Sequence, residues 1–149
     1  MRAHGDYQIW LLEGRILWNV VRGGINETFS QQYKEAMQAQ VEAMGPGPWI
    51  RVSDIRLWEL GGPEVIGPLH EWMQWCEDHE LSDSINLVSM PGLQTHLLDL
   101  MMQGVTRHSV RHLTHNLSET MALLARLRPG LDLTAALAGI YSSEMLARG

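Results

Sequence analysis

Residues 49–81 constrain the fold of this chain more than any other segment. The run WIRVSDI predicts a strand, the segment RLWELGG predicts a loop, and a long helix is predicted to begin near Pro63. A strand followed by a helix is the building unit of α/β proteins, which bind ligands and partners at the carboxyl ends of their strands. The predicted crossover loop, residues 56–62, is therefore the first place to look for function.

The first two strands are predicted to form a hairpin. Two apolar runs, YQIWLLE and RILWNVV, meet at Glu13 and Gly14, and a two-residue loop there would pair Leu11 with Ile16. This register places one apolar set on a single face of the hairpin, which we expect to lie in the core: Tyr7, Ile9, Leu11, Ile16, Trp18 and Val20.

Helical stripes and short strands alternate along the rest of the chain. Stripes at helical spacing run from Phe29 to Met44, from Val65 to Cys76, from Leu93 to Met101 and from Leu117 to Leu127. Strands are predicted at residues 84–90 and 106–113, the second being polar enough for a sheet edge. A last short helix would carry Leu133, Leu137, Ile140, Tyr141 and Met145.

This order predicts an α/β fold with a mixed, mostly parallel sheet. The N-terminal hairpin is antiparallel, helices pack on the sheet, and an extra helix follows at the C-terminus. We expect one domain at residues 1–128 and a C-terminal helical extension of the same domain at residues 129–149.

Composition excludes several classes of protein. No apolar run is long enough to span a membrane, and the first residues lack the apolar core of a signal peptide. The net charge of −6 argues against a nucleic-acid partner. The lone Cys76 cannot form an internal disulfide, so a cytoplasmic location is expected.

Charge is distributed unevenly along the chain. Residues 54–83 contain eight acids against one arginine, Arg56, whereas residues 107–128 contain four arginines and three histidines against one acid, Glu119. Such asymmetry either orients a partner or a second copy of the chain, or marks two solvated faces.

The sequence offers little for catalysis or metal binding. It has no G-x-S-x-G elbow and no phosphate-binding loop, and Cys76 is predicted to be an inert core thiol. His108 and His112 would lie about 13 Å apart on one strand, too far to share a metal with each other, and His115 has no neighbouring ligand set. We therefore predict no metal and no cofactor. Asp54 and Glu59 remain a possible acid pair for a hydrolase.

Several short patterns together resemble a known superfamily. They are the Gly23-Gly24 exit from the hairpin, the strand ending Val52-Ser53-Asp54-Ile55, and the segment Val110-Arg111-His112-Leu113 with Ser118-Glu119 opening the next helix. Over residues 6–128 the chain resembles the SpoIIAA-like fold of STAS domains, the bacterial anti-sigma-factor antagonists. It looks closest to the small bacterial proteins of that superfamily whose function is undescribed.

The chain departs from the STAS pattern at the switch serine. The resemblance implies an Asp-x-Ser after the third strand and a second Asp-Ser pair at the next helix start, where the serine is phosphorylated. Here Asp54 is followed by Ile55 and Arg56, and the helix opens Gly-Gly-Pro-Glu. A kinase-driven switch is therefore not expected, whereas a protein partner at this loop is.

The sequence thus favours a non-enzymatic binding or regulatory module, a homodimer or a binder of another protein. Its predicted contact residues are Arg56, Leu57, Trp58, Glu59, Leu60 and Trp75, with Trp58 as the anchor. The alternative is a carrier of a small apolar or lipid-like ligand, since nine methionines suit an adaptable pocket. A second alternative is a hydrolase.

Overall fold

The computed structural model describes residues 5–89 and 91–141. A five-stranded sheet is formed by β1 (Asp6–Leu12), β2 (Ile16–Ile25), β3 (Trp49–Gly61), β4 (Leu81–Leu87) and β5 (Val110–Thr114). The helices are α1 (Glu27–Met44), α2 (Ile66–Asp78), α3 (Pro91–Met102), α4 (Leu117–Leu127) and α5 (Thr134–Ile140), and a single 3₁₀ turn (Pro63–Val65) precedes α2. No helix in the described ranges is both long and apolar enough to cross a bilayer.

The strands lie in the order β1-β2-β3-β4-β5. β1 pairs antiparallel with β2, and every later pair is parallel, as expected for strands joined by crossover helices. The predicted α/β class, with its antiparallel hairpin, parallel strands and extra C-terminal helix, is confirmed. That helix ends at Ile140, one residue before Tyr141, and Met145, also predicted for it, lies outside the described residues. Asn26 and Asn116 cap α1 and α4, because the side-chain oxygen of each accepts a backbone N–H group of the first helical turn.

Helices cover both faces of the sheet and make two cores. On one face α1, α2 and α3 contribute Phe29, Met37, Trp72, Cys76 and Met101. On the other face α4 and α5 bury a second set around β3 and β4, which includes Trp18, Val52, Ile85, Leu124 and Leu137. Because helices cover both faces of the sheet, the central strands are buried on both sides, even at polar positions such as Arg51 and Ser84.

The predicted hairpin register is wrong by one residue. Leu12 pairs with Ile16, and Leu11 pairs with Leu17, because Arg15 is left out of the ladder. The main-chain carbonyl of Arg15 instead accepts the N–H of Ile50 (2.9 Å). Its guanidinium donates to the carbonyls of Gly45, Pro46 and Gly47.

A one-residue shift moves one strand's side chains to the opposite face. Tyr7, Ile9 and Leu11 therefore share the α1–α3 face with Leu17 and Val21. The other residues predicted for that face lie in the α4–α5 core, together with Trp10 and Leu12: Ile16, Trp18 and Val20.

The predicted crossover loop is also wrong, because β3 continues through it to Gly61. β2 does not end at the Gly23-Gly24 pair but runs to Ile25, so residues beyond Asp54 still find a partner strand, with two register shifts on the way. Gly61 is required at the end of this pairing, since a Cβ there would lie 2.5 Å from the carbonyl oxygen of Ile25.

The last strand begins later than predicted, at Val110, because a buried acid holds the segment before it. The carboxylate of Glu77 accepts the backbone N–H groups of His108 and Ser109 and the Ser109 hydroxyl (2.6 Å). This acid belongs to the polar end of α2 in the sequence, yet it is buried and ties that helix to the entry of β5.

The substitution Glu77→Ala should lower the free energy of unfolding by about 3 kcal/mol or more, since it removes the acceptor of two buried donors on Ser109 and of the partly buried N–H of His108. The neighbouring Asp78→Ala is the control, because Asp78 is exposed and accepts only a surface bond from Gln74 among the described residues. Urea unfolding measures both. Equal effects from the two variants would contradict the assigned role of Glu77.

Candidate functional site at the end of β3

A buried carboxylate organises the carboxyl-terminal half of the central strand. Asp54 accepts hydrogen bonds from the Nε, Nη2 and backbone N–H of Arg56 at 3.0–3.2 Å. The hydroxyl of Tyr141, at the end of α5, donates to the same carboxylate at 2.7 Å, and it accepts the indole N–H of Trp18 at 3.0 Å. Asp54 thereby accepts hydrogen bonds from a neighbour on its own strand, Arg56, and from a distant residue, Tyr141.

The electrostatics follow from this burial. Burial alone lowers the pKa of the Arg56 guanidinium. The hydrogen bonds that Arg56 donates to Asp54, and the negative charge of that carboxylate, have the larger effect, so the pKa is raised. Burial and the adjacent Asp54 charge both raise the pKa of the Tyr141 hydroxyl. Tyr141 therefore stays a neutral donor, and Arg56 stays charged beneath the Tyr141 ring, 5.9 Å from its centroid.

A second polar group lies on the opposite face of β3. Ser53 is buried, and its hydroxyl accepts the side-chain N–H of Asn19 (3.0 Å), whose oxygen in turn accepts the Tyr33 hydroxyl (2.8 Å). Ser53, the serine nearest the STAS switch position on this strand, is thus a structural core residue. Phosphorylation there would require the sheet to open.

Helix α3 is anchored to the end of β3 by one buried side chain. The amide of Gln94 donates to the carbonyl oxygens of Ile55 (2.7 Å) and Trp58 (3.3 Å) and accepts the N–H of Ser89 (3.0 Å). The Ser89 hydroxyl donates to the carbonyl of Arg56 (2.8 Å). The start of α3 and the end of β3 are therefore one connected unit.

Two leucines are exposed to solvent on this connected unit, one on β3 and one on α3. Leu57 on β3 is 47% exposed and Leu93, which precedes Gln94, is 52% exposed. Glu59 is exposed two residues further along the strand, and Arg56 is mostly covered. We call Arg56, Leu57, Glu59 and Leu93 the crossover surface. Three of its four members were predicted as contact residues, and Leu93 was not.

Trp58 does not have the predicted anchor position. Its side chain is 3% exposed and lies in the core beneath α1–α3, because the register shift in β3 puts Ile55 and Trp58 on the same inner face. The side chain of the remaining predicted loop residue, Leu60, is outside the described part of the structure.

Trp75 is not brought together with the crossover surface. It stacks on His79 with 3.8 Å between ring centroids, and the carbonyl of His79 accepts the indole N–H of Trp49, the first residue of β3. Leu57 lies eight residues further along that strand, which corresponds to about 26 Å. The predicted single surface containing both Leu57 and Trp75 is therefore not formed.

A small cavity lies between the sheet and helices α1–α3. Its volume is about 40 Å³, and its walls are mainly apolar, with Tyr33, Ser53 and Asn86 as the polar members. Trp58 is one of its walls, and the buried indole N–H of that residue makes no hydrogen bond within the described ranges. An unpaired buried donor costs about 1–3 kcal/mol.

The other residues considered for catalysis do not combine into one catalytic site. Asp54 and Glu59 lie five residues apart on an extended strand, about 16 Å, whereas the paired carboxylates of glycoside hydrolases lie about 5–9.5 Å apart. Burial raises the pKa of the Cys76 thiol to about 12, so it is protonated at neutral pH, as predicted.

The three clustered histidines contact different neighbours. His112 contacts Asp83 (2.9 Å), His115 contacts Glu119 (3.5 Å), and the His108 backbone is bound by Glu77. No three metal-binding side chains converge among the described residues.

Comparison with known proteins identifies the fold. No protein-family model matches the sequence, and a comparison with curated proteins finds no significant match. An uncharacterised protein of the DUF3478 family with a SpoIIAA-like fold, from Shewanella loihica PV-4, superposes with a TM-score of 0.60 at 8% identity over 83% of this chain and 96% of its own. The chain has the SpoIIAA-like fold.

A second solved structure is also similar. An anti-sigma factor antagonist from Mycobacterium paratuberculosis superposes with a TM-score of 0.53 at 15% identity, covering 80% of this chain and 92% of that protein. Both similarities extend over most of the chain, so the fold expected from the resemblance is confirmed.

The substitution Trp58→Ala should lower the free energy of unfolding by about 3–5 kcal/mol, because it empties a buried site in the core. Its strand neighbour gives the control: Leu57→Ala should change stability by no more than about 0.5 kcal/mol, since Leu57 is half exposed. Thermal and urea unfolding measure both. If Trp58→Ala melts at the same temperature as the wild type, the assignment of this tryptophan to the core is wrong.

Proposed function

We propose that this chain is a non-enzymatic regulatory module that binds a partner protein through the crossover surface, without a phosphoserine switch. The observation that carries this proposal is the exposure of Leu57 and Leu93 on a unit whose backbone is fixed from beneath by Gln94 and Asp54. Exposed apolar side chains on a rigid support suit protein recognition, since little conformational freedom is lost on binding.

The charges of the surface support a specific partner. Glu59 is exposed beside Leu57, and the Arg56 guanidinium is held in one orientation by two contacts with Asp54. One structurally similar protein is an anti-sigma factor antagonist, which supports a regulatory protein as the partner. The lone buried cysteine, in a reduced state, supports action in the cytoplasm.

Site-specific photocrosslinking in the cells that produce the protein tests this proposal. A photoreactive amino acid at Leu57 or Leu93 should give the same discrete adduct, whereas one at Ala39, exposed on α1, should give none. Leu57→Asp should abolish the adduct formed from position 93 while the circular dichroism spectrum stays unchanged. An adduct of twice the chain mass identifies a homodimer.

The proposal fails if positions 57 and 39 give the same pattern of adducts. It also fails if Leu57→Asp leaves crosslinking from position 93 unchanged, because the two leucines would then not serve one interface.

The second candidate function is a carrier of a small apolar molecule. The cavity beside Trp58 favours it, because the unpaired indole N–H would donate to an ether or carbonyl oxygen of an otherwise apolar ligand. Sites for drug-sized molecules measure about 300–1,000 Å³, so a ligand of that size would require α2 and α3 to move away from the sheet.

Native mass spectrometry of freshly purified protein tests the carrier function. A carrier should show added mass from a bound molecule, and Trp58→Phe should lower the bound fraction by removing the donor while keeping an aromatic ring. A bare polypeptide mass for the wild type, in a preparation whose fold is intact, contradicts the carrier function and leaves the crossover proposal standing.

A further inference from the structure

The cavity between the sheet and helices α1–α3 borders two buried polar groups that make no hydrogen bond within the described residues. They are the indole N–H of Trp58 on β3 and the side-chain amide of Asn86 on β4. We propose that this cavity is a hydration site, in which a bound water accepts the N–H of Trp58 and donates to the amide oxygen of Asn86. The site lies in the core and does not rest on the proposed function of the crossover surface.

The pairing of the strands places Asn86 in a row of buried polar residues. Asn19, Ser53 and Asn86 lie side by side on β2, β3 and β4. The amide of Asn19 donates to the Ser53 hydroxyl (3.0 Å) and accepts the Tyr33 hydroxyl (2.8 Å). Asn86 is 3% exposed, and no described residue forms a hydrogen bond with its side chain. It lines the cavity with its N–H donors and its acceptor oxygen unsatisfied, which is unfavourable unless another molecule bonds them.

One water can satisfy these two groups, which do not bond each other. The indole nitrogen of Trp58 only donates, whereas the amide of Asn86 offers both donors and an acceptor. A water accepts from one group and donates to the other, and a bridging water is nearly as favourable as a direct hydrogen bond. An ether or carbonyl oxygen only accepts, so a ligand bound through such an oxygen would leave the amide oxygen of Asn86 unpaired. The two groups together therefore favour an occupant that carries a hydroxyl.

The volume of the cavity favours water over a larger hydroxyl compound. The cavity measures about 40 Å³. A buried water needs about 10–15 Å³ and roughly two to four polar partners, whereas a cavity that binds benzene measures about 150 Å³. The space therefore suits roughly one or two waters and excludes a molecule as large as benzene. Tyr33 and Ser53 are the other polar residues in its mainly apolar walls, so a water beside Trp58 and Asn86 has enough partners.

Oxygen-17 magnetic relaxation dispersion of the full chain tests the inference, because it counts the waters that stay bound for longer than the protein takes to tumble. The wild type should hold about one long-lived water more than Asn86→Leu, in which an apolar side chain of similar size replaces the amide. Leu57→Asp, on the crossover surface, should show the same count as the wild type. A high-resolution crystal structure should place the water within hydrogen-bond distance of Trp58 Nε1 and Asn86 Oδ1.

The indole proton of Trp58 gives a second measurement that does not depend on counting waters. A hydrogen-bonded indole N–H resonates at lower field than a free one, so the nuclear magnetic resonance signal of this proton should move to higher field in Asn86→Leu. The circular dichroism spectra of the variant and the wild type should be the same. If Asn86→Leu does not fold, Trp58→Phe replaces it in the water count, because it removes the donor and keeps an aromatic ring.

Several results would overturn the inference. Equal water counts in the wild type and the folded variant contradict it, and so does an indole signal that Asn86→Leu leaves unchanged. An organic molecule in the cavity, seen as added mass and in a crystal structure, would also overturn it and would support the carrier function instead. Failure of crosslinking at Leu57 and Leu93 would leave the hydration site standing, so failure here and failure of the proposed function are distinguishable.

Discussion

The end of the central strand depends on the burial of one carboxylate. An ionised group on the middle strand of a sheet that is covered on both faces is costly unless its charge is matched and its oxygens accept hydrogen bonds. Asp54 meets both conditions through Arg56, two residues along the same strand, and through Tyr141, which arrives from the end of α5. The residue at the end of the C-terminal helix thus helps to stabilise the buried carboxylate on the central strand. Trp18, on β2, belongs to the same hydrogen-bond network.

The two helical layers meet at this point. Tyr141 reaches Asp54 from the α4–α5 side, and Gln94 reaches the carbonyls of Ile55 and Trp58 from α3 on the other side. The segment that carries Leu57 is therefore held from both faces, although it lies where many α/β proteins have a mobile loop. In this chain, which has the SpoIIAA-like fold, the crossover end of the central strand is an extended segment, and Asp54 is followed by Ile55 and Arg56, with no serine.

The parts of the fold that local periodicity determines could be predicted from the sequence. The stripe on α1 and the order of strands and helices depend on spacing within one element, and the structure has both. The hairpin register could not be predicted this way, because the partners of Arg15 lie some thirty residues later in the chain. The same holds for residues 56–61, whose extended form depends on pairing with Gly23 and Ile25.

Site residues that act through long-range contacts were missed for the same reason. Tyr141 reads as one apolar position on a short last helix, and Gln94 and Glu77 read as polar positions on helix surfaces. Each is buried and bonded to a segment at least thirty residues away. The one available signal was Asp54 itself, an acid on the strand predicted to be central, since a buried acid requires donors. Trp58 was assigned to a surface because its strand was taken for a loop.

Amide hydrogen exchange at Arg56 tests most directly whether the Asp54 network holds the strand end rigid. The N–H of Arg56 donates to Asp54, so we expect its exchange to require an opening free energy close to that of global unfolding, like the amide of Val52 within the same strand. In Tyr141→Phe the protection of Arg56 should fall well below that of Val52. Rapid exchange of Arg56 in the wild type, or protection that Tyr141→Phe leaves unchanged, would contradict the account.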